Sequence, residues 1–269
     1  MTSRVLRVYP APQEEIPLAD LYRDLCSAAK AANHEAMPYT VANMVASLDG
    51  RATAGGVAGH IGGSVDRQAM RVLRSRSDAV LVGAASLRAE KMSLSVPEDE
   101  ARACAQPLAV VVTSSAEVDL SNLLSHPRQE VLVVSHRAVR IEPGNVPRPL
   151  ISTERLSELA SSTPRSAFDP APLLEALRHE RGVEVLLSEG GPSVNHALAA
   201  SGLLDEFFLT LSPRTLAGSP HEAMPLLSGP ALDTHQSNWS LASIHLPCEA
   251  HVEQDMLLRY TRGSITPPP

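Results

Sequence analysis

Short apolar runs that stop at glycine or small polar residues recur along this chain, with amphipathic stretches between them. Tyr39 to Ser47, Asp78 to Val82, Leu108 to Thr113, Val131 to Val134 and Val183 to Leu187 are rich in Val, Leu and Ala and hardly alternate. That pattern predicts strands covered on both faces. Ser64 opens a helix to about Arg76 with Val65, Ala69, Val72 and Leu73 on one face, and is its expected N-cap. Asp169 caps a helix from Pro170 to about Arg181, with Leu173, Leu174 and Leu177 inward and Gly182 as its stop. Ser193 to Ser201 predicts a further helix. Leu204 to Ser212 predicts another buried strand, and Trp239 to Leu246 with His251 to Thr261 a closing antiparallel hairpin. The expected fold is α/β: a mostly parallel central sheet with antiparallel C-terminal edge strands and flanking helices. Residues 38–262 form this domain. Residues 1–37 are expected to be an extension, with an edge strand at Arg4 to Tyr9 and a helix from Pro17 to Ala32 packed outside or at a subunit contact. Its apolar face is Leu18, Leu21, Tyr22 and Leu25. The tail 263–269, ending in three prolines, is expected to be disordered.

Composition narrows the choice of function. Hydrophobic residues make up 43% of the 269 residues but aromatics only 3%, so the core must be aliphatic. The net charge of −7 argues against a nucleic-acid surface and means that an anionic ligand needs a local basic pocket. Cys26, Cys104 and Cys248 lie far apart and make no metal-ligand set, so no metal is expected and a reduced, cytoplasmic protein is. No apolar run approaches the ~18 residues of a membrane span, and the N-terminus has no signal-peptide core.

Four of the runs end in small or glycine turns, at 48–50, 83–86, 113–115 and 188–191. In Ser188-Glu189-Gly190-Gly191-Pro192-Ser193 a strand meets two glycines and then a proline suited to the first helical position. Glycines let the backbone approach a ligand, and the first N–H groups of a helix point at an anion. The same residues also suit a plain tight turn between strand and helix. Asp49-Gly50 is either a turn or a carboxylate held at a strand end facing a cleft. Several such turns along one sheet edge would make a dinucleotide trough, although no G-x-G-x-x-G stands at the first of them. Arg71 and Arg76 suit a solvated helix end.

Taken together, Ser47-Leu48-Asp49-Gly50, His60-Ile61-Gly62-Gly63, Leu73-Arg74-Ser75-Arg76-Ser77-Asp78-Ala79-Val80-Leu81-Val82-Gly83 and Ser188-Glu189-Gly190-Gly191-Pro192 resemble the reductase domain of the bifunctional riboflavin-biosynthesis deaminase/reductase, over roughly residues 38–262. The resemblance implies a dihydrofolate reductase-like fold, a homodimer, NADPH as hydride donor, and reduction of a ribosylamino group on a pyrimidine. It places Val45 and Ala46 beside the nicotinamide, and Gly83, Ser86, Gly190, Gly191 and Ser193 along the phosphates. Thr113 and Ser114 fall at the adenosine end, and Arg74 and Glu189 on the substrate. His60 stands near a position where the family often has tryptophan and counts as a further substrate contact. Hydride transfer to a C=N centre also needs a proton. Asp49 is the expected source, with its pKa raised by burial, ahead of Glu189 and His60. Pro97 replaces the arginine with which the family grips a substrate phosphate, and Glu98, Asp99 and Glu100 follow. That departure keeps two alternatives open: reduction of a dihydropterin or dihydrofolate-like heterocycle, and a catalytically silent NADPH-binding protein. No H-x-E with P-C-x-x-C of a zinc deaminase occurs in the chain, which is expected to be a stand-alone reductase.

Overall fold

The computed structural model describes residues 3–32, 34–97, 105–155, 168–219, 223–233, 238–249 and 254–262. In chain order the elements are β1 (Arg4–Tyr9), β2 (Glu14–Pro17), α1 (Leu25–Ala32), β3 (Tyr39–Ser47), α2 (Ser64–Ser75), β4 (Ala79–Gly83), α3 (Ala84–Ala89), β5 (Leu108–Thr113), β6 (Glu117–Asp119), β7 (Val131–Ser135), β8 (Arg140–Glu142) and β9 (Ile151–Arg155). They continue as α4 (Ala171–Arg181), β10 (Val185–Ser188), α5 (Pro192–Ala200), β11 (Glu206–Ser212), β12 (Trp239–Pro247) and β13 (Met256–Arg262). Eleven strands join in one sheet, ordered β2-β1-β12-β13-β11-β3-β10-β4-β5-β7-β9, and β6 pairs with β8 apart from it. From β11 to β9 every neighbour is parallel, and from β11 back to β2 every neighbour is antiparallel. The mixed sheet foreseen from the apolar runs is therefore present.

The uninterrupted apolar runs follow from helices on both faces. Val41, Val80, Val82, Val111, Val133 and Leu187 pack under Val65, Ala69, Val72 and Leu73 of α2. Ala42, Leu81, Val110, Leu132 and Leu186 face Leu173, Leu174 and Leu177 of α4 and Val194 and Leu198 of α5. Successive strand residues point to opposite faces, so a strand buried on both has no polar position to spare. Gly182 ends α4 in the left-handed region (φ +65°), as its position predicted.

Three local expectations are corrected. Gly63, not Ser64, is the N-cap of α2, and its own N–H donates to Asp255 Oδ2 at 2.7 Å, which ties the helix start to the far end of the chain. Residues 17–32 are not one helix: a 3-10 turn at Leu18–Asp20 precedes α1, and the bend brings the Tyr22 ring edge-on to Phe208, centroids 4.7 Å apart. Nor does the N-terminal segment lie outside. β1 is hydrogen-bonded between β2 and β12, and Val5, Leu18, Leu21, Tyr22 and Leu25 are buried in the same core as β3 and α2. Residues 263–269 fall outside the described residues. Among the described residues no helix is long and apolar enough to cross a membrane, and no His, Cys, Asp and Glu group could hold a metal ion.

Candidate functional site

Parallel strands end at one edge, so the four small-residue corners had to meet there. The registers place Ser212, Ser47, Ser188, Gly83, Thr113 and Ser135 along it. β10 is short. It stops beside Ala42 of β3 and Leu81 of β4, whereas both neighbours run on. A notch opens between them, and the chain turns within it: Glu189 N–H donates to Leu81 O at 3.0 Å and Gly83 N–H to Gly190 O at 2.8 Å. On the β3 side, Tyr39 N–H points to Glu184 in the chain leading into β10. Backbone direction alternates along a strand, so the N–H and C=O of Val45 face the notch beyond the last β10 residue. Asn43, Met44 and Val45 are also the only half-buried residues of a strand otherwise buried throughout.

The wall opposite β3 is glycine for steric reasons. A Cβ on Gly191 would lie 2.7 Å from Ser86 Oγ, and one on Gly83 would lie 3.3 Å from Val194 Cγ2 and 3.6 Å from Gly191 N. Gly190 has φ +82°, a region L side chains rarely adopt. Gly83, Ser86, Gly190 and Gly191 thus form one bare corner at the start of α5, whose first turn carries the exposed Ser193. One strand further on, Thr113 Oγ1 accepts the Ser115 N–H at 3.0 Å, and Ser114 is exposed beside it.

Arg74 and Glu189 meet at the notch. Arg74 Nε and Nη2 donate to the two Glu189 carboxylate oxygens at 2.6 and 2.7 Å, with the side chains only 5% and 6% exposed. Nη2 also touches Met70 Sδ at 3.5 Å. Asp66, Met70 and Arg74 recur every four residues and form one stripe of α2.

Asp49 is not what the sequence led one to expect. Its carboxylate accepts from the Ser47 hydroxyl (2.6 Å), Leu216 N–H (3.0 Å) and Ala217 N–H (2.7 Å). The Ser47 hydroxyl and those two N–H groups hold it down at about 2 instead of raising it. Asp49 thereby clamps the loop after β11, including Ala217 in its left-handed conformation (φ +53°), and Arg51 adds bonds to Ala223 O and Gly218 O. A carboxylate so engaged has no proton to give at neutral pH. His60 is exposed, and its carbonyl accepts from Arg214 Nη1 at 3.0 Å.

Asp66, in the first turn of α2, is a residue that no motif in the sequence marks. Burial pushes the Asp66 carboxyl up to about 6; the Thr210 hydroxyl bonded to it pulls the other way, while the neighbouring Asp255 and Glu189 carboxylates add to the rise against Arg67. The hint in the sequence was Gly62-Gly63, since a Cβ on Gly62 would fall on the Asp66 carboxylate. A cavity of about 300 Å³ lined by His34, Met37, Leu174, Leu203 and Asp205 lies at the opposite sheet edge and includes none of these groups.

Residues 38–246 match the model of the RibD C-terminal domain. The chain belongs to the RibD C-terminal domain family. It is thus an oxidoreductase of the riboflavin-biosynthesis reductase type, with an α/β fold. It is 27% identical over 225 residues to the 2,5-diamino-6-ribosylamino-4(3H)-pyrimidinone 5′-phosphate reductase of Methanothermobacter thermautotrophicus, covering 83% of this chain and 98% of that one. The enzyme of the same name from Archaeoglobus fulgidus is 30% identical over 200 residues, covering 67% and 83%. Among solved structures, a pyrimidine reductase-like protein of Corynebacterium diphtheriae superposes with a TM-score of 0.67 at 21% identity over 91% of this chain and 98% of that one. Acinetobacter baumannii RibD superposes at 0.66 with 23% identity over 91% of this chain, which spans 63% of its length. These two likenesses show that the chain shares their fold.

Proposed function

We propose that this RibD-type reductase uses NADPH to convert a 6-ribosylamino-pyrimidinone 5′-phosphate to its ribitylamino form, as a homodimer in the cytoplasm. One observation carries the reading. The open stretch of β3, the glycine corner of β4 and β10, and the hydroxyl end of β5 lie in that order along one sheet edge. Their order suits the nicotinamide, pyrophosphate and adenosine parts of a dinucleotide. The open N–H and C=O of Val45 suit the carboxamide, which needs one donor and one acceptor, with Ala46 next in the strand. Gly83, Gly190 and Gly191 leave room for a pyrophosphate where a Cβ would intrude. Ser86 and Ser193 supply hydroxyls, and the α5 N-terminus adds its dipole. Thr113 and Ser114 suit the 2′-phosphate end. Bound NADPH supplies the hydride.

The chain's own residues hold the pyrimidine. Arg74 and Glu189 fix one another, and the rigid pair presents a planar edge of donors and acceptors to a heterocycle that carries both. Because the pair is neutral overall, it recognises a neutral ring without leaving a buried charge unmatched. Arg88 and Lys91, both exposed near the glycine corner in sequence, are the cations available to a ribose phosphate.

The test is oxidation of NADPH by the purified protein with the pyrimidinone phosphate, followed at the nicotinamide absorbance with product identified by mass. One NADPH consumed per ribitylamino product is expected. Turnover of a dihydropterin or dihydrofolate in its place would transfer the chemistry to that ring. Tight NADPH binding with no oxidation on any of these substrates would leave a silent binding protein. Sedimentation checks the dimer.

A further inference from the structure

The candidate proton sources named from the sequence do not survive the geometry as donors: Asp49 is a loop clamp, His60 is exposed, and Glu189 is spent on Arg74. The reaction still consumes a proton. Asp66 stands on the first turn of α2, at the sheet edge that carries the notch, and is hydrogen-bonded to the Thr210 hydroxyl. Thr210 lies directly opposite Val45 in the β11–β3 register, beside the peptide that opens into the notch. Gly62 leaves the space into which the Asp66 side chain turns. The charged and titratable groups that face it are Arg67 on its own helix, Glu189 after β10, Asp255 before β13 and Tyr22 from the N-terminal segment. Tyr22 is neutral and two of the others, Glu189 and Asp255, are carboxylates, so burial and these two charges together favour a protonated carboxyl over the opposing Arg67.

We propose that Asp66 is the proton donor of the reductase, delivering to the substrate's exocyclic nitrogen from the Thr210 side of the notch.

This proposal rests on the reductase reading above. The ribosylamine opens first: the nitrogen loses its hydrogen to the ring oxygen O4′, the C1′–O4′ bond breaks and C1′=N forms. C1′ would then take a hydride of the kind that NADPH would supply when bound, and the C=N electron pair would move to nitrogen. That nitrogen takes the proton of the Asp66 carboxyl and becomes a secondary amine. The Asp66 carboxylate recovers its proton from solvent. The sum is substrate plus NADPH plus H⁺ giving ribitylamine plus NADP⁺. A carboxyl titrating near 6 retains a useful protonated fraction at neutral pH and recharges readily. Its nearness to Thr210, Glu189 and Val45, not its acidity, makes it the choice.

The experiment measures kcat and KM against pH for wild type, Asp66→Asn and Asp66→Glu, with NADPH affinity by fluorescence titration and the Asp66 carboxyl followed by carbon-13 NMR in the ligand-free protein. Wild-type kcat should fall as pH rises through about 6, and the NMR signal should titrate in the same range. Asp66→Asn should lose at least 100-fold in kcat and the pH dependence with it, while NADPH affinity changes less than threefold. Asp66→Glu should restore part of the rate and a pH-dependent limb. Asp66→Asn with wild-type kcat and pH profile would overturn the assignment, as would a carboxyl that titrates near 4. Loss of NADPH affinity in parallel with kcat would also overturn it, by making Asp66 structural. No turnover by wild type would instead count against the reductase reading, and the NMR titration would still judge Asp66.

Discussion

Two buried arginine–glutamate pairs sit at opposite edges of the same sheet, and they are built differently. At the edge where β3 and β11 begin, Glu206 takes Arg259 Nε and Nη2 at 2.6 and 2.8 Å and the Tyr39 hydroxyl at 2.6 Å. Arg259 Nη1 goes on to Asp24 at 2.7 Å, and the guanidinium lies 5.4 Å over the Phe208 ring. All three guanidinium nitrogens and both Glu206 oxygens are engaged, and the network ties the N-terminal segment to the last strand. At the other edge, Glu189 takes only Arg74, and Arg74 otherwise meets the Met70 sulfur. Those contacts engage Nε and Nη2 and leave Nη1 over, among the described residues. Similar chemistry therefore serves two purposes. A network in which every guanidinium nitrogen finds a partner inside the protein contributes to the fold, and one with a nitrogen to spare suits a ligand.

The comparison breaks most readily at the closed pair. Glu206→Ala strands the Arg259 guanidinium and the Tyr39 hydroxyl in the core and should cost about 3–5 kcal/mol, read from the urea midpoint, with kcat per folded molecule unchanged. A smaller effect of opposite sign is expected at the open edge. The folded-state pKa of Asp66, about 6, is above its unfolded value, so its ionised form costs stability above that pH. Asp66→Asn should therefore be more stable than wild type above pH 6, by up to about 3 kcal/mol, with the gap closing as pH falls from 6 to about 4. A gap that widens on acidification would reverse the assignment of the shift. Glu189→Gln keeps the shape of the open pair and removes its charge. It should lower kcat/KM for the pyrimidinone about 10- to 100-fold, or roughly 1.4–2.7 kcal/mol, and cost less stability than Glu206→Ala. Equal stability losses with unchanged kinetics would make the two pairs alike.

The two edges were not equally legible in the sequence. Apolar runs gave the parallel strands within a residue or two, because a strand buried on both faces has to be apolar throughout. β9, with Ser152 and Thr153 in an edge strand, carries no such signal, and neither do the three-residue β6 and β8. The short Arg4–Tyr9 run was visible as a strand, but its place inside the sheet depends on β12 from the far end of the chain. The glycine corner was legible because two separate strand ends carried it. Arg74 and Glu189 were marked as ligands, yet nothing in the sequence shows that they bind each other across 115 positions. Asp49 misled because a turn aspartate and a cleft aspartate look alike until the N–H groups of Leu216 and Ala217 are seen on it. Asp66 was missed because its hydrogen-bond partner Thr210 and the neighbouring charge of Asp255 are both far away in sequence.

The account turns on the notch being the NADPH site, and the bare glycine corner offers the direct test. Calorimetric titration of NADPH should compare wild type with Gly191→Ala, whose added methyl meets the Ser86 hydroxyl, a group able to rotate aside. The account predicts micromolar binding to wild type and at least tenfold weaker binding to the variant, about 1.4 kcal/mol or more, with the melting temperature of the ligand-free protein almost unchanged. Equal affinity in the two proteins, or no binding to wild type, would contradict it.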